Sequence, residues 1–251
     1  MNQQVFDSHL HIIDPAFPLV PNNGYLPDPF TTNDYLLAAQ PLGVKGGAVV
    51  SGSFQAFDQD YLLSALQRLG TKFVGVTQLP ASASDAEIIR LNEKGVRAIR
   101  FNMKRGGSES VEYLESFARR VFDLVGWHVE LYVDARELDD LHGTLMRLPA
   151  VSIDHLGLSK EGFPTLLRLA EKGVRVKATG FGRVDFPVRQ ALQAIHAANP
   201  QVLMFGTDLP STRAPRPFEA NDILLLVDAL GEEGAELALW RNAVSFYRIQ
   251  A

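Results

Sequence analysis

The sequence predicts an α/β protein, a single TIM-type (β/α)8 barrel, and three observations predict it. Short runs rich in β-branched and aromatic residues alternate with stretches of helical spacing along the whole chain. Several helical stretches end in glycine directly before the next strand. Histidines and an aspartate collect at strand ends, as they do where a fold gathers those ends around one mouth.

The strand-like runs are Val5–Phe6, Gly47–Val50, Lys72–Thr77, Val96–Phe101, His128–Val133, Val151–Ile153, Val174–Ala178 and Val202–Phe205. Between them, segments such as 61–69 put Leu62, Leu66 and Leu69 on one helical face. Gly70, Gly95, Gly126 and Gly173 suit the left-handed position just past a helix, which other residues adopt only with strain. Strands alternating with helices imply parallel βαβ units, and eight units in a chain of 251 residues is barrel size. An open doubly wound sheet would carry a glycine-rich turn after its first strand; here that turn holds His9-Leu10-His11. Gly180-Phe181-Gly182 lacks a third glycine and reads as a turn. No composition shift divides the chain, so residues 1–251 read as one domain.

Composition narrows the partners. At 46% hydrophobic and 21% charged the chain has ample core material, and a net charge of −5 offers no footprint for nucleic acid or an anionic membrane. The absence of cysteine excludes disulfides, thiolate nucleophiles and cysteine-held zinc. No apolar stretch approaches the ~20 residues of a membrane span, and no charged-then-apolar leader precedes the first strand. The expected setting is cytoplasmic and the expected partner a small molecule, with oligomeric state open.

Two loops follow site-bearing strands. Residues 14–29 carry Pro15, Pro18, Pro21, Pro27 and Pro29 around Asn22-Asn23-Gly24-Tyr25, and residues 209–218 carry Pro210, Pro215 and Pro217 with Arg213 and Arg216. Proline restricts φ, so both are expected to be ordered covers of the mouth.

His9 and His11, two apart on a strand, share a face. His155 and Asp208 close later strands. Neutral imidazoles can bind a divalent ion or donate to a developing oxyanion, and a neighbouring carboxylate can accept a proton from water. Alternatively, Asp208 caps the following segment. Asp7 is expected on the same face as His9 and His11, and Asp154 is expected to alternate away from His155 in a structural role. Arg100, Tyr132 and Arg183 read as functional. Glu130 and Lys177 lie well before their strand ends and read as a buried polar network. His128, at a strand start, reads as structural, and His142 and His196 as solvated helix residues.

The ordered set Phe6-Asp7-Ser8-His9-Leu10-His11, Val96-Arg97-Ala98-Ile99-Arg100-Phe101-Asn102, Gly126-Trp127-His128-Val129, Ile153-Asp154-His155-Leu156-Gly157, Val176-Lys177-Ala178-Thr179-Gly180 and Phe205-Gly206-Thr207-Asp208-Leu209-Pro210 resembles the amidohydrolase superfamily. Within it the chain is most similar to the amidohydrolase-related branch with 2-pyrone-4,6-dicarboxylate lactonase and sugar lactonases. Trp240-Arg241-Asn242-Ala243 with Phe246-Tyr247 looks like the family's closing element. The resemblance implies a hydrolase barrel that opens a carboxylated lactone. It makes Asp208 the base that activates water, and His9, His11 and His155 the groups that polarise the carbonyl. It makes Tyr25, Ser53, Arg100, Tyr132 and Arg183 substrate contacts, with Arg105 beside them. The dicarboxylate lactonase carries an arginine shortly after Asp-His-x-Gly, where this chain has Leu158.

The superfamily commonly uses zinc or manganese, whereas the lactonase branch can act without metal. The resemblance therefore leaves two options, no required cofactor or one divalent ion held by His9, His11, His155 and Asp208. A binuclear centre needs a bridging carboxylated lysine and a further histidine, and no such pair is found. A related non-oxidative decarboxylase would call for another histidine on the strand after Asp-His-x-Gly; residues 174–180 contain none. A catalytically silent binding barrel is the third reading, which the intact histidines and Asp208 oppose.

Overall fold

Eight parallel strands pair in chain order, β1 (Val5–Leu10), β2 (Val44–Val50), β3 (Phe73–Thr77), β4 (Val96–Asn102), β5 (His128–Tyr132), β6 (Val151–Ile153), β7 (Arg175–Ala178) and β8 (Leu203–Phe205). The structure, a computed structural model, describes residues 4–249. The helices between strands are α1 (Thr32–Ala39), α2 (Asp60–Leu69), α3 (Asp85–Glu93), α4 (Leu114–Val125), α5 (Leu138–Leu145), α6 (Phe163–Glu171) and α7 (Val188–Ala198); α8 (Asn221–Glu236) and α9 (Asn242–Phe246) follow β8. The result is the expected (β/α)8 barrel. None of these helices is long and apolar enough to cross a membrane.

Local chemistry explains the elements. α4 buries Leu114, Phe117, Ala118 and Val121, one stripe at helical spacing. α1 starts at a capping box in which Thr31 and Asp34 satisfy each other's backbone N–H groups. Gly70, Gly95, Gly126 and Gly173 all have positive φ, as the sequence requires of them.

Alternate strand residues face two cores. Val49, Ile99, Leu131, Ile153 and Val176 pack outward against the helices. Phe6, Ala48, Val50, Val74, Val76, Ala98 and Met204 fill the barrel floor together with Tyr247, which enters from below after α9. Asn242 anchors that segment by donating to the Leu203 carbonyl at 2.8 Å.

The barrel closes between its last and first strands through site residues. The Asp208 N–H donates to the His9 carbonyl at 2.7 Å, and the His11 N–H donates to the Leu209 carbonyl at 2.8 Å. β1 extends four residues beyond the expected Val5–Phe6 and is irregular, its register against β2 shifting between Asp7 and Leu10. That shift corrects one expectation. Asp7 does not share a face with His9 and His11; it bonds to Tyr35 of α1, outside the barrel.

Candidate active site

β1 delivers His9 and, one residue past its end, His11; the turns after β6 and β8 deliver His155 and Asp208. All four side chains are buried at the C-terminal ends of the strands. The His9 ring centroid lies 5.0 Å from that of His11 and 4.8 Å from that of His155. Asp208 Oδ1 is 3.8 Å from His9 Nε2 and 3.7 Å from His11 Nε2.

The backbone is shaped to allow this. His155 and Asp208 sit at φ 51° and 61°, left-handed conformations that cost non-glycine residues about 1 kcal/mol or more. Aspartate and histidine are among the side chains that tolerate them best. At Gly206, any Cβ would come within 2.7 Å of the His9 nitrogen, so only glycine lets β8 approach β1 this closely. Asp7 clamps the same seam, accepting from the Thr207 N–H at 2.8 Å and hydroxyl at 2.6 Å and from the His9 N–H at 3.2 Å.

Charge is distributed unevenly over the site. Asp208 Oδ2 accepts from Arg183 Nε at 2.7 Å, while Asp208 Oδ1 is buried without a partner among the described residues. Burial would raise the Asp208 pKa, but the Arg183 guanidinium and His155 overcome it and hold the carboxyl below its usual range, ionised. Burial pushes His9 down to about 3 and His155 well below its ordinary value, so both rings are neutral at pH 7. His9 Nε2 and His155 Nδ1 are buried without partners as well. His11 differs, because its Nδ1 lies 2.7 Å from the Val50 carbonyl. A carbonyl only accepts, so Nδ1 carries a proton, and in the neutral ring Nε2 presents a lone pair towards Asp208.

Above these groups lies a cleft lined by Ser53, Arg100, Arg105, Tyr132, Arg183 and Arg213. Tyr132 packs its ring edge-on to His155. Tyr25 lies under the Arg213 guanidinium, 4.5 Å from it, and the Ser53 hydroxyl accepts from Arg213 Nη2 at 3.0 Å. Arg213 Nη1 donates to Asn22 Oδ1 at 3.0 Å, so this arginine ties the 209–218 loop to the 14–29 loop. Arg100 reaches the cleft with both terminal nitrogens engaged, Nη1 on the Ser51 carbonyl at 2.7 Å and Nη2 on Asp154 Oδ2 at 2.8 Å. Leu158 is buried beside the turn.

One side chain departs from expectation and two others do more than expected. Asp154 does not alternate away from the site: its Oδ1 lies 3.4 Å from His9 Nδ1, because the left-handed turn at His155 and Leu156 breaks strand alternation. Lys177 joins the expected buried network through Glu130 and also reaches His9 Nδ1 at 3.4 Å. Arg213 was readable only as a cation in a long proline-rich loop. Elsewhere, His128 bonds to Glu130 at 3.1 Å under the barrel, and His142 and His196 lie half-buried on α5 and α7.

The donor set also suits a cation. Ligand atoms of His9, His11 and Asp208 lie within 4.8 Å of one another, as do those of His9, Asp154 and His155. The two trios share His9. The unpartnered Asp208 Oδ1 and the lone pair on His11 Nε2 are the atoms an ion would take.

Residues 6–249 match the model of the amidohydrolase family. The chain belongs to the amidohydrolase family. This amidohydrolase is similar to lactone hydrolases. It is 27% identical over 219 residues to a 2-pyrone-4,6-dicarboxylate hydrolase of Comamonas testosteroni, covering 82% of this chain and 70% of that one. It is 25% identical over 228 residues to a 4-sulfomuconolactone hydrolase of Rhizobium radiobacter, covering 82% and 75%. A Pseudomonas putida crystal structure provisionally assigned as a 2-pyrone-4,6-dicarboxylic acid hydrolase superposes with a TM-score of 0.82 at 26% identity, covering 98% of each chain. An Agrobacterium tumefaciens apo structure shares the fold, with a TM-score of 0.87 at 21% identity over 99% and 97% of the two chains.

Proposed function

We propose that this amidohydrolase opens a small carboxylated lactone by attack of water, with residues 1–251 acting as one catalytic domain. The observation that carries the reading is the Asp208 carboxylate, ionised, with one oxygen held by Arg183 and the other buried, unpartnered and between the Nε2 atoms of His9 and His11. The relatives named above support a cyclic ester as substrate.

Water resting against Asp208 Oδ1 loses a proton to it as the oxygen attacks the lactone carbonyl. The lone pair on His11 Nε2 accepts a hydrogen bond from the water's remaining O–H and orients it. His9 and His155, neutral and close to the same point, polarise the carbonyl oxygen and stabilise the tetrahedral oxyanion. Collapse breaks the ring C–O bond, and the departing oxygen takes the proton back from Asp208. The product is a hydroxy acid, or its keto form where the leaving oxygen is enolic. Arg183, Arg105 and Arg213 give the cleft a cationic wall suited to carboxylates, with Tyr25, Ser53, Arg100 and Tyr132 shaping it. If a single divalent ion is bound, His9, His11, His155 and Asp208 hold it, and it supplies a more acidic water and Lewis-acid polarisation.

A panel of carboxylated lactones in ¹⁸O-water tests the reading. One label in the new carboxylate is expected. Lactone conversion without label would indicate isomerisation, and CO₂ release without ring opening would indicate decarboxylation; either overturns the proposal.

A further inference from the structure

Beneath the mouth a buried lysine touches His9 from the side opposite the cleft. Lys177 of β7 is fully buried, and its ammonium is ion-paired with Glu130 of β5. Glu130 is pinned in turn by the Tyr247 hydroxyl and by His128 Nε2. So anchored, Lys177 has no freedom to turn away from His9, and its Nζ lies 3.4 Å from His9 Nδ1 in hydrogen-bonding alignment.

An ammonium has three donors and no acceptor. A ring nitrogen facing it must therefore offer a lone pair, which leaves the single proton of the neutral imidazole on Nε2. The competing partner for Nδ1 is Asp154 Oδ1, also 3.4 Å away, which would draw the proton to Nδ1. Three observations weigh against it. Asp154 Oδ1 has no hydrogen-bond partner of good geometry among the described residues. The other Asp154 oxygen is committed to Arg100 at 2.8 Å. Lys177 stands 3.7 Å from Oδ1 and already neutralises its charge.

We propose that Lys177 is a positioning residue that holds His9 as its Nε2–H tautomer, so that the His9/His11 pair presents one donor and one acceptor to the site. His11 is fixed in the opposite sense by the Val50 carbonyl, 2.7 Å from its Nδ1. The pair is thus asymmetric despite its symmetric His-x-His sequence. Its donor, His9 Nε2–H, points towards Asp208 at 3.8 Å and has no partner of its own. Its acceptor, His11 Nε2, can orient water. The assignment of His9 as the oxyanion donor rests on the hydrolytic reading above; the tautomer assignment stands without it. One consequence concerns metal. An ion held by His9 among the ligands named above needs the lone pair that Lys177 reserves for Nδ1, so its binding requires His9 to move its proton to Nδ1, whereas His11 already presents its lone pair.

The test is ¹⁵N–¹H correlation of the imidazoles in the whole ¹⁵N-histidine-labelled protein, metal-free and at pH 7.5, with His9 and His11 assigned by His9→Asn and His11→Asn. The expected spectrum has a pyrrole-type Nε2 and pyridine-type Nδ1 for His9, and the reverse for His11. A His9 ring protonated on Nδ1, or on both nitrogens, overturns the proposal. The neutral double variant Glu130→Gln/Lys177→Met removes the donor without stranding a buried charge. In it, His9 is expected to move its proton to Nδ1, facing Asp154. Manganese(II) affinity measured by calorimetry is expected to tighten about 10–100-fold, the usual reach of groups touching a ligating imidazole. An unchanged His9 tautomer in a folded double variant would overturn the role of Lys177. A lactone panel that gives no turnover would fail the functional reading and leave the spectrum to decide this one.

Discussion

At the floor of the barrel Glu130, Lys177, His128 and Tyr247 bond to one another, whereas at the mouth Asp208 Oδ1, His9 Nε2 and His155 Nδ1 are equally buried and have no partner among the described residues. Both regions take charged and polar groups out of water. Stranding a buried polar atom costs about 1–3 kcal/mol, more when it is charged. The floor avoids that cost by pairing each charge, so it reads as architecture. The mouth accepts it within one cluster, where unspent hydrogen-bonding capacity is available to substrate and water. The two regions meet at His9, whose Nδ1 faces the floor and whose Nε2 faces the mouth.

The comparison breaks most visibly at Asp208. Asp208→Asn keeps the size and polarity of the side chain but removes its ability to accept a proton. The expected kcat falls about 10²–10⁴-fold, the usual scale for losing a general base, and the urea midpoint also drops because the buried Arg183 guanidinium loses its counter-charge. A variant that unfolds easily but turns over normally would place Asp208 with the floor. Glu130→Gln should do the opposite. It takes from the buried Lys177 ammonium its hydrogen-bonded counter-charge and leaves it only Asp154 Oδ1 at 3.7 Å; breaking a buried pair costs about 3–5 kcal/mol, read as a lower urea midpoint at unchanged slope. Arg213→Ala, at the outer edge of the mouth, should be milder. Loss of its contacts to Asn22 and Ser53 frees the two loops and removes one cation, raising KM for carboxylated substrate about tenfold while kcat holds. A fall in kcat instead would show that loop closure assembles the catalytic groups.

Much of this arrangement is legible in the sequence because it depends on periodicity. Alternating strands and helices, and glycines after helices, follow from local chemistry, and β6 spans Val151–Ile153 as its pattern indicates. Strand-end position likewise marks His9, His11, His155 and Asp208 before any geometry is known. What the pattern misses lies where regular geometry stops. Asp7 faces outward because β1 is irregular, and Asp154 faces inward because the next two residues are left-handed. Neither event has a sequence signature, since His155 and Leu156 are ordinary L-residues in a conformation imposed by their surroundings. The contact of Lys177 with His9 spans 168 positions and needs the closed barrel to exist at all.

The smallest expected effect sharpens the comparison at the seam between the regions, through pH. Burial pushes the Asp7 carboxyl up to about 6, against 3.8 in an open chain. Its folded form therefore binds a proton more tightly than its unfolded form, and this group alone makes stability fall as pH rises from about 4 to 6. His9 acts in the opposite sense. Its folded pKa is about 3 against 6.5 unfolded, so stability is complete above 6.5 and is lost as pH falls towards 3; His155, also lowered by burial, adds to that loss. Between pH 4 and 6 the histidines outweigh Asp7, and the protein loses stability on acidification with Asp7 softening the slope. Asp7→Asn removes the softening term. Whatever it does to absolute stability by weakening the clamp on Thr207, it should steepen the acid-side loss by about 1.4 kcal/mol per pH unit, measured from urea midpoints at half-unit intervals. Parallel curves for the two proteins would mean that Asp7 is ionised throughout this range. The charge it carries would then be compensated at the seam, and Asp7 would belong with the fully paired floor.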